Sequence, residues 1–352
     1  MKKITIKDIA RIAGVSVSTV SRVLNGDSEV SEKTKKRVEK IIYENNYHPS
    51  MLARGMVSKK TKMIAIIVSD ITNPYFNQFV SHIDTELMSR GYTLSLFDTQ
   101  TANRYSHKED IDTEINIFRQ IQENNFEAVL LLGGLIDYSD VDPVYQAALH
   151  TLSKQVPVIV VGRDRIESLP QPQAQNIFFV ARDQKLPTQL LVSYLIQKNY
   201  KQLAFVGGSP GVWITQDRTK TFRQVLSAHH LTIDKKRIIN NDFYANSGYE
   251  AVTRLINENV KFDAIVAIND RVAQGALRAL KDFLGHTVSK GVASCEYFSE
   301  NIFNIPRITS VDHNVYELSQ RTVNLLISIL QQDSENEAVE KSVPKLIIGE
   351  SC

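Results

Sequence analysis

The residues best equipped for recognition chemistry cluster near the start of the chain. Val17, Ser18, Ser21 and Arg22 fall on the outward side of a short helical pattern whose inward positions are Val20, Val23 and Leu24. An arginine guanidinium can fork onto O6 and N7 of guanine in a major groove, worth about 1–3 kcal/mol of discrimination. Val17 can meet a thymine methyl, and the hydroxyls of Ser16, Ser21 and Ser31 suit phosphate oxygens. Taken singly, Thr19 and Ser21 read equally well as helix surface; their grouping on one side favours a nucleic-acid contact.

Three short helices must position this group. Thr5 with Asp8 three residues on forms a capping-box pattern, and Ile6, Ile9, Ala10 and Ala13 share one face. Gly14 ends that helix, and Ser16 can cap the next, which Asn25-Gly26 stops. A third helix follows from Ser31-Glu32-Lys33-Thr34, with Val38, Ile41 and Ile42 turned inward. Two helices joined by a tight glycine-containing turn, with a third as buttress, make a helix-turn-helix. The charge agrees: residues 1–62 hold 14 Lys and Arg against 6 Asp and Glu, in a chain whose net charge is only +2. A basic head on a mildly acidic body is the electrostatic footprint of a nucleic-acid-binding module. The run Lys33, Lys35, Lys36, Arg37 and Lys40 could by itself be only a solvated helix face.

The string TIKDIARIAGVSVSTVSRVLNGDSEVSEKTKKRVEKIIYENNYHPSMLARGM resembles the DNA-binding segment of the lactose/galactose repressor family. The resemblance implies that Val17, Ser18 and Arg22 read bases. It places Ser16, Thr19, Ser21, Asn25, Ser31 and Thr34 on the nucleic-acid backbone, with Thr5 and Tyr47 in the same surface. Tyr47 and His48 precede Pro49, after which the family has a hinge helix, here residues 50–57, that folds on DNA and wedges an aliphatic residue into the minor groove. Met56 stands at the wedge where Leu is usual, Ser50 replaces a usual Asn, and Ala53 and Arg54 match the pattern.

From residue 62 the pattern changes to short apolar runs alternating with amphipathic stretches. Strands are expected at 63–68, 93–97, 128–132, 156–161, 177–180, 203–206, 264–268 and 308–311, with helices near 75–90, 109–124, 187–199, 217–230, 246–259, 271–284 and 314–332. Nearly continuous apolar strands separated by helices indicate parallel sheets covered on both faces, and their number calls for two lobes. Ligands of such sheets bind beyond the C-terminal strand ends, here between the lobes. The expected fold class is an all-α helix-turn-helix head followed by an α/β core of two doubly wound parallel-sheet lobes.

The resemblance extends into this region through IIVSDITNPYFNQFV, QLAFVGG, AIVAINDRVAQGALRAL, ITSVDHNVYELSQRTVNLL and LIIGESC. It implies a periplasmic-binding-protein-like core. The domains expected are a head at 1–48, a hinge at 49–61, a first lobe at 62–179 with 312–341, and a second at 180–311 with 342–352. It further implies effector contacts from Phe76, Arg218, Phe243, Asn269, Glu296 and His313. From the residues alone, Arg218 reads also as an ion pair, Asn269 as a helix cap, Phe76 and Phe243 as core, and Asp183 and Asp270 as caps. Glu296 stands where the family's G-F-D-D motif has its first Asp, Ser294-Cys295 replaces Gly-aromatic, and Leu186-Pro187 replaces Ala-Gly.

Enzyme signatures do not occur: there is no G-x-G-x-x-G, P-loop, G-x-S-x-G or H-E-x-x-H, and Cys295 and Cys352 lack metal-ligand spacing. No enzyme activity, metal or cofactor is expected. The start lacks an apolar signal segment and no run is long enough to cross a bilayer, so a cytoplasmic, nucleoid-associated protein without membrane contact is expected. The resemblance implies a homodimer on near-palindromic double-stranded operator DNA, repressing carbohydrate genes under a sugar or sugar-phosphate effector. No coiled-coil segment follows Cys352 to suggest a tetramer. The alternative it leaves open is regulation by a phosphocarrier protein, as in the family's catabolite-control branch.

Overall fold

The computed structural model describes residues 4–24, 30–45, 47, 61–103, 107–166, 176–285, 290–332 and 343–352. It divides into two compact units, Met1–Lys62 and Met63–Cys352. The first holds α1 (Ile6–Ala13), α2 (Val17–Leu24) and α3 (Glu32–Glu44). Its start is a full capping box: Asp8 N–H donates to the Thr5 hydroxyl at 3.4 Å while the Asp8 carboxylate accepts from Thr5 N at 3.0 Å. Gly14 ends α1 at φ 61°, a left-handed cap that a side chain would strain. Ser16 caps α2, its hydroxyl accepting from Thr19 N at 3.1 Å. Ser31 caps α3 through Thr34 N, with a hydroxyl–hydroxyl bond of 3.0 Å to Thr34 in place of the carboxylate half of a box. Ile9, Ala10, Ala13, Val20, Val23, Val38 and Tyr47 form the small core.

In the second unit β1 (Met63–Val68), β2 (Thr93–Asp98), β3 (Ala128–Leu132), β4 (Val158–Gly162) and β5 (Ile177–Ala181) make an all-parallel sheet in the order β2-β1-β3-β4-β5. Its helices are α4 (Pro74–Ser89), α5 (His107–Glu123) and α6 (Pro143–Ser153). Chain crossing then builds a second sheet from β6 (Leu203–Val206), β7 (Ile238–Ile239), β8 (Ala264–Ala267), β9 (Gly291–Ser294), β10 (Thr309–Asp312) and β11 (Lys345–Ile347). Its order is β11-β10-β9-β8-β6-β7, parallel except where β11 runs against β10. Around it stand α7 (Lys185–Gln197), α8 (Trp213–Ala228), α9 (Ala245–Asn257) and α10 (Asp270–Leu284). Finally α11 (Val315–Gln331) returns to the first lobe, where Leu318, Val323 and Leu326 pack with Ile64, Ile66 and Leu130. No described helix is long and apolar enough to cross a membrane.

Three elements escaped the sequence pattern. α6 is announced by Asp142-Pro143, whose carboxylate accepts from Val144 N at 2.7 Å, but its apolar residues lack a clear stripe. β7 has two residues, and β9 is only Gly-Val-Ala-Ser, too short and small to stand out. α7 begins at Lys185, so Pro187 sits in the first turn, where a missing N–H costs nothing. Asp183 caps this helix by accepting from Lys185 and Leu186 N–H at 2.8 and 3.0 Å.

The tightest packing lies between α9 and α10. A Cβ on Gly275 would fall 1.7 Å from the Ala245 carbonyl oxygen, and one on Gly248 would fall 1.9 Å from that of Val272. Neither backbone can yield without separating the helices. Gly275→Ala is therefore expected to destabilise the second unit by at least the ~1–3 kcal/mol typical of overpacking, read as a lower urea midpoint at unchanged slope.

Candidate functional site: a recognition helix and an interlobe cavity

In the head, Val17, Ser18 and Arg22 are exposed on α2, and Thr19 and Ser21 are partly so. Ser16 sits at the turn before them, with its hydroxyl shared between Ser18 (2.7 Å) and Thr19 (2.8 Å). Thr5 and Ser31 are exposed at the starts of their helices, and Thr34 is half-buried. Tyr47 is placed otherwise than a surface contact requires: it is 8% exposed and its ring belongs to the head's core. Asn25, His48, Ser50, Ala53, Arg54 and Met56, with the expected hinge, lie outside the described residues.

In the second unit the C-terminal ends of the strands converge on a cavity between the lobes. The first lobe contributes Ser69, Asn73, Tyr75, Phe76, Gly133, Asp137 and Tyr138; the second contributes Trp213, Phe243, Tyr244, Asn269 and Glu296; Arg182 and Gln184 come from the crossover. Gly133 takes φ 84° where β3 ends, and a Cβ there would lie 2.8 Å from both Phe76 Cζ and Ser69 Oγ. Glycine thus lets the backbone approach the Phe76 ring.

Arg182 anchors this wall. Its side chain is 6% exposed, pairs with Glu296 in a short contact, and lies 4.6 Å from the centre of the Tyr75 ring. Burial alone would lower its pKa, but the Glu296 charge and the Tyr75 phenol outweigh burial and raise it. Its Nε donates to His313 Nδ1 at 3.1 Å. A guanidinium has no acceptor, so His313 Nδ1 carries no proton and Nε2–H donates to the Cys295 carbonyl at 2.9 Å. Burial, then the charges of Arg182 and Arg218, hold His313 well below its usual pKa, in agreement with a neutral ring.

Of the six effector residues expected from the sequence, Phe76, Phe243, Asn269 and Glu296 line the cavity and two do not. Arg218 is fully buried behind the wall, donating to Gln184 Oε1 (2.7 and 3.2 Å) and to the Ile268 carbonyl (2.6 Å), with Glu296 at 4.0 Å. Its N–H groups are spent on protein. His313 is likewise a support for Arg182. Asn269 faces the cavity, yet it caps α10 through Val272 N (2.9 Å) and donates to the Phe243 carbonyl (3.0 Å). Asp270, expected as a cap, instead ties the lobe together: it accepts from Phe298 N at 2.8 Å and from Ser310 Oγ at 2.5 Å, and burial raises it to about 7. Sequence reasoning missed Arg182, Asp137 and Trp213. An arginine and an aspartate just past apolar strands were the available signal for the first two.

Residues 5–50 match the bacterial regulatory proteins of the lacI family, and residues 192–352 match the periplasmic binding protein-like domain. The chain thus joins a lacI-family DNA-binding domain to a periplasmic-binding-protein-like domain. It is 28% identical to the HTH-type transcriptional regulator MalR of Clostridium butyricum, over 99% of this chain and 98% of that one. It is also 28% identical to catabolite control protein A of Staphylococcus xylosus, over 95% and 94%. The fold matches the lac repressor dimer bound to operator and the anti-inducer ONPF, with a TM-score of 0.81 and 21% identity over 99% of both chains. With this pair of domains the protein is a DNA-binding transcriptional regulator and not an enzyme.

Behind the cavity, Glu114 is fully buried against Gly134, with Oε1 accepting from Leu135 N at 3.1 Å and from Thr101 Oγ1 at 3.4 Å. Burial raises it from 4.5 to about 7, against the hydrogen bonds from Leu135 and Thr101. The unfolded chain therefore ionises first, while the folded chain keeps its proton. This carboxyl costs stability progressively as pH rises from about 4.5 to about 7, and fully above that. Glu114→Gln should raise the melting temperature at pH 8, by an amount equivalent to roughly 1–3 kcal/mol, and change it little at pH 4.5. Equal effects at both pH values would reject the assignment.

Proposed function

We propose that the protein is a homodimeric repressor of carbohydrate-utilisation genes, acting at the nucleoid in the cytoplasm. In this reading it binds a near-palindromic operator through α2 and releases or retains it according to a small carbohydrate in the interlobe cavity. The observation that carries the effector half is the cavity itself: aromatic side chains from both lobes line it together with carboxylates and amides. Ring faces stack on the C–H faces of sugars while polar groups take the hydroxyls. The dimer and operator are supported by the fold shared with the lac repressor dimer on its operator, and two-fold protein symmetry implies matching half-sites. Lobe closure on the ligand would couple the two functions reciprocally, at a typical ~1–3 kcal/mol.

The DNA half rests on Val17, Ser18 and Arg22, all exposed on α2. Arg22→Ala is expected to lose about 1–3 kcal/mol of preference for the operator over its mutated versions while keeping weak, salt-sensitive binding. A gel-shift series in which the preference is unchanged would reject the recognition helix. The effector half is tested by footprinting the purified protein on the DNA around its own gene with and without neutral sugars and sugar phosphates. Protection that ignores every sugar but changes with a phosphocarrier protein would transfer control to a protein co-regulator.

A further inference from the structure

We propose that Asp137 is the charge filter of the interlobe cavity, so that the effector is an uncharged, hydroxyl-bearing carbohydrate and its phosphorylated counterpart is rejected. This rests on the effector reading above and deepens it. Among the described residues, the carboxylates and guanidinium lining the cavity are Asp137, Glu296 and Arg182. Arg182, the one cation, is already committed to Glu296 and to His313 Nδ1. Arg218 lies behind the wall with its donors on Gln184 and Ile268. An incoming phosphate would therefore meet an ion pair already closed between Arg182 and Glu296, the further carboxylate of Asp137 and no uncommitted cation, in a space where water can screen little.

Asp137 is placed to act on the ligand. It ends the turn Gly134–Asp137 after β3 and lines the cavity together with Trp213 of the other lobe. Arg163, whose guanidinium carbon lies 5.6 Å from the centre of the Trp213 ring, donates to the carbonyls of Ile136, Tyr138 and Arg165 and does not line the cavity. Burial raises Asp137 to about 6, against the Arg163 charge and the neighbouring Trp213 indole, so it is ionised above neutrality. An ionised carboxylate can only accept hydrogen bonds. Sugar hydroxyls can donate to it, whereas phosphate oxygens would repel it.

Trp213 is the sole tryptophan of the chain, so its emission reports this cavity and no other surface. The test titrates the full-length protein at pH 7.5 with glucose, maltose, cellobiose and trehalose, each beside its 6-phosphate, following Trp213 emission. At least one neutral sugar is expected to shift the emission, and its phosphate to bind at least tenfold more weakly. In Asp137→Asn that gap should shrink to threefold or less, since the amide keeps an acceptor oxygen and loses the charge. A phosphate that binds as tightly as its neutral twin, or a gap unchanged in Asp137→Asn, overturns the filter while leaving the effector reading intact. An emission that no sugar of either series moves overturns both.

Discussion

The geometry of the core depends on one buried cation. Arg182 sits where the chain first leaves the β1–β5 sheet, and it holds Glu296 of the second lobe, His313 of the return crossover and the Tyr75 ring of the first lobe. Removing one partner of a buried pair typically costs about 3–5 kcal/mol, because the other charge is left without compensation. The pair consequently fixes both crossovers and the floor of the cavity together. Its protonation states are fixed as well. A guanidinium donating to His313 Nδ1 requires the neutral ring, and that ring then donates to the Cys295 carbonyl. Glu296 is the carboxylate by which the second lobe reaches Arg182.

The head is stabilised by different means. Its core is seven buried side chains, three of them alanine or tyrosine near its rim, so little apolar surface is available. Its helices are instead terminated chemically: Thr5–Asp8, Gly14, Ser16 and Ser31 each satisfy backbone groups that a short helix leaves open. Capping α2 with Ser16 fixes the direction of its first turn, which is where Val17 and Ser18 are presented. Local hydrogen bonding thus sets the orientation of the recognition surface.

Features encoded by near neighbours were legible in the sequence. Caps, the left-handed glycine and apolar strand runs are local, and the two parallel sheets follow from their alternation with helices. Cavity membership is not local. Phe76 and Phe243 are indistinguishable from core residues until two lobes are set face to face. Arg218 carries the chemistry of a ligand contact, yet Gln184 and the Ile268 carbonyl, distant in sequence, consume its donors. Conversely Arg182 sits in an unremarkable Val-Ala-Arg-Asp stretch, and only the crossing of the chain gives it three partners. Asn269 illustrates a residue that is both cap and wall, so the two readings of its sequence position were never exclusive.

The division of apolar and polar contacts explains why such a core can respond to a ligand. Each lobe owns its hydrophobic clusters: those built on β1–β5 and α11 contain no second-lobe side chain, and the one built on β6–β10 contains none from the first. Contacts across the cleft are polar instead: Tyr244 to Asp70 at 2.7 Å, Arg271 to the Thr72 carbonyl, Gln78 to Ser299 at 2.6 Å, and the backbone bridge of Tyr138 with Val212. Polar contacts exchanged for water cost little net free energy, on the order of 1 kcal/mol each, whereas separating an apolar core would cost many times more. Opening therefore leaves both lobes intact and has a modest free-energy cost. A ligand that bridges the lobes needs only a comparable preference for the closed form to shift the balance. The same polar seam leaves Asp137 and Trp213 on opposite lobes of the cavity lining, so in the proposed reading a ligand and a closing motion would both be felt there.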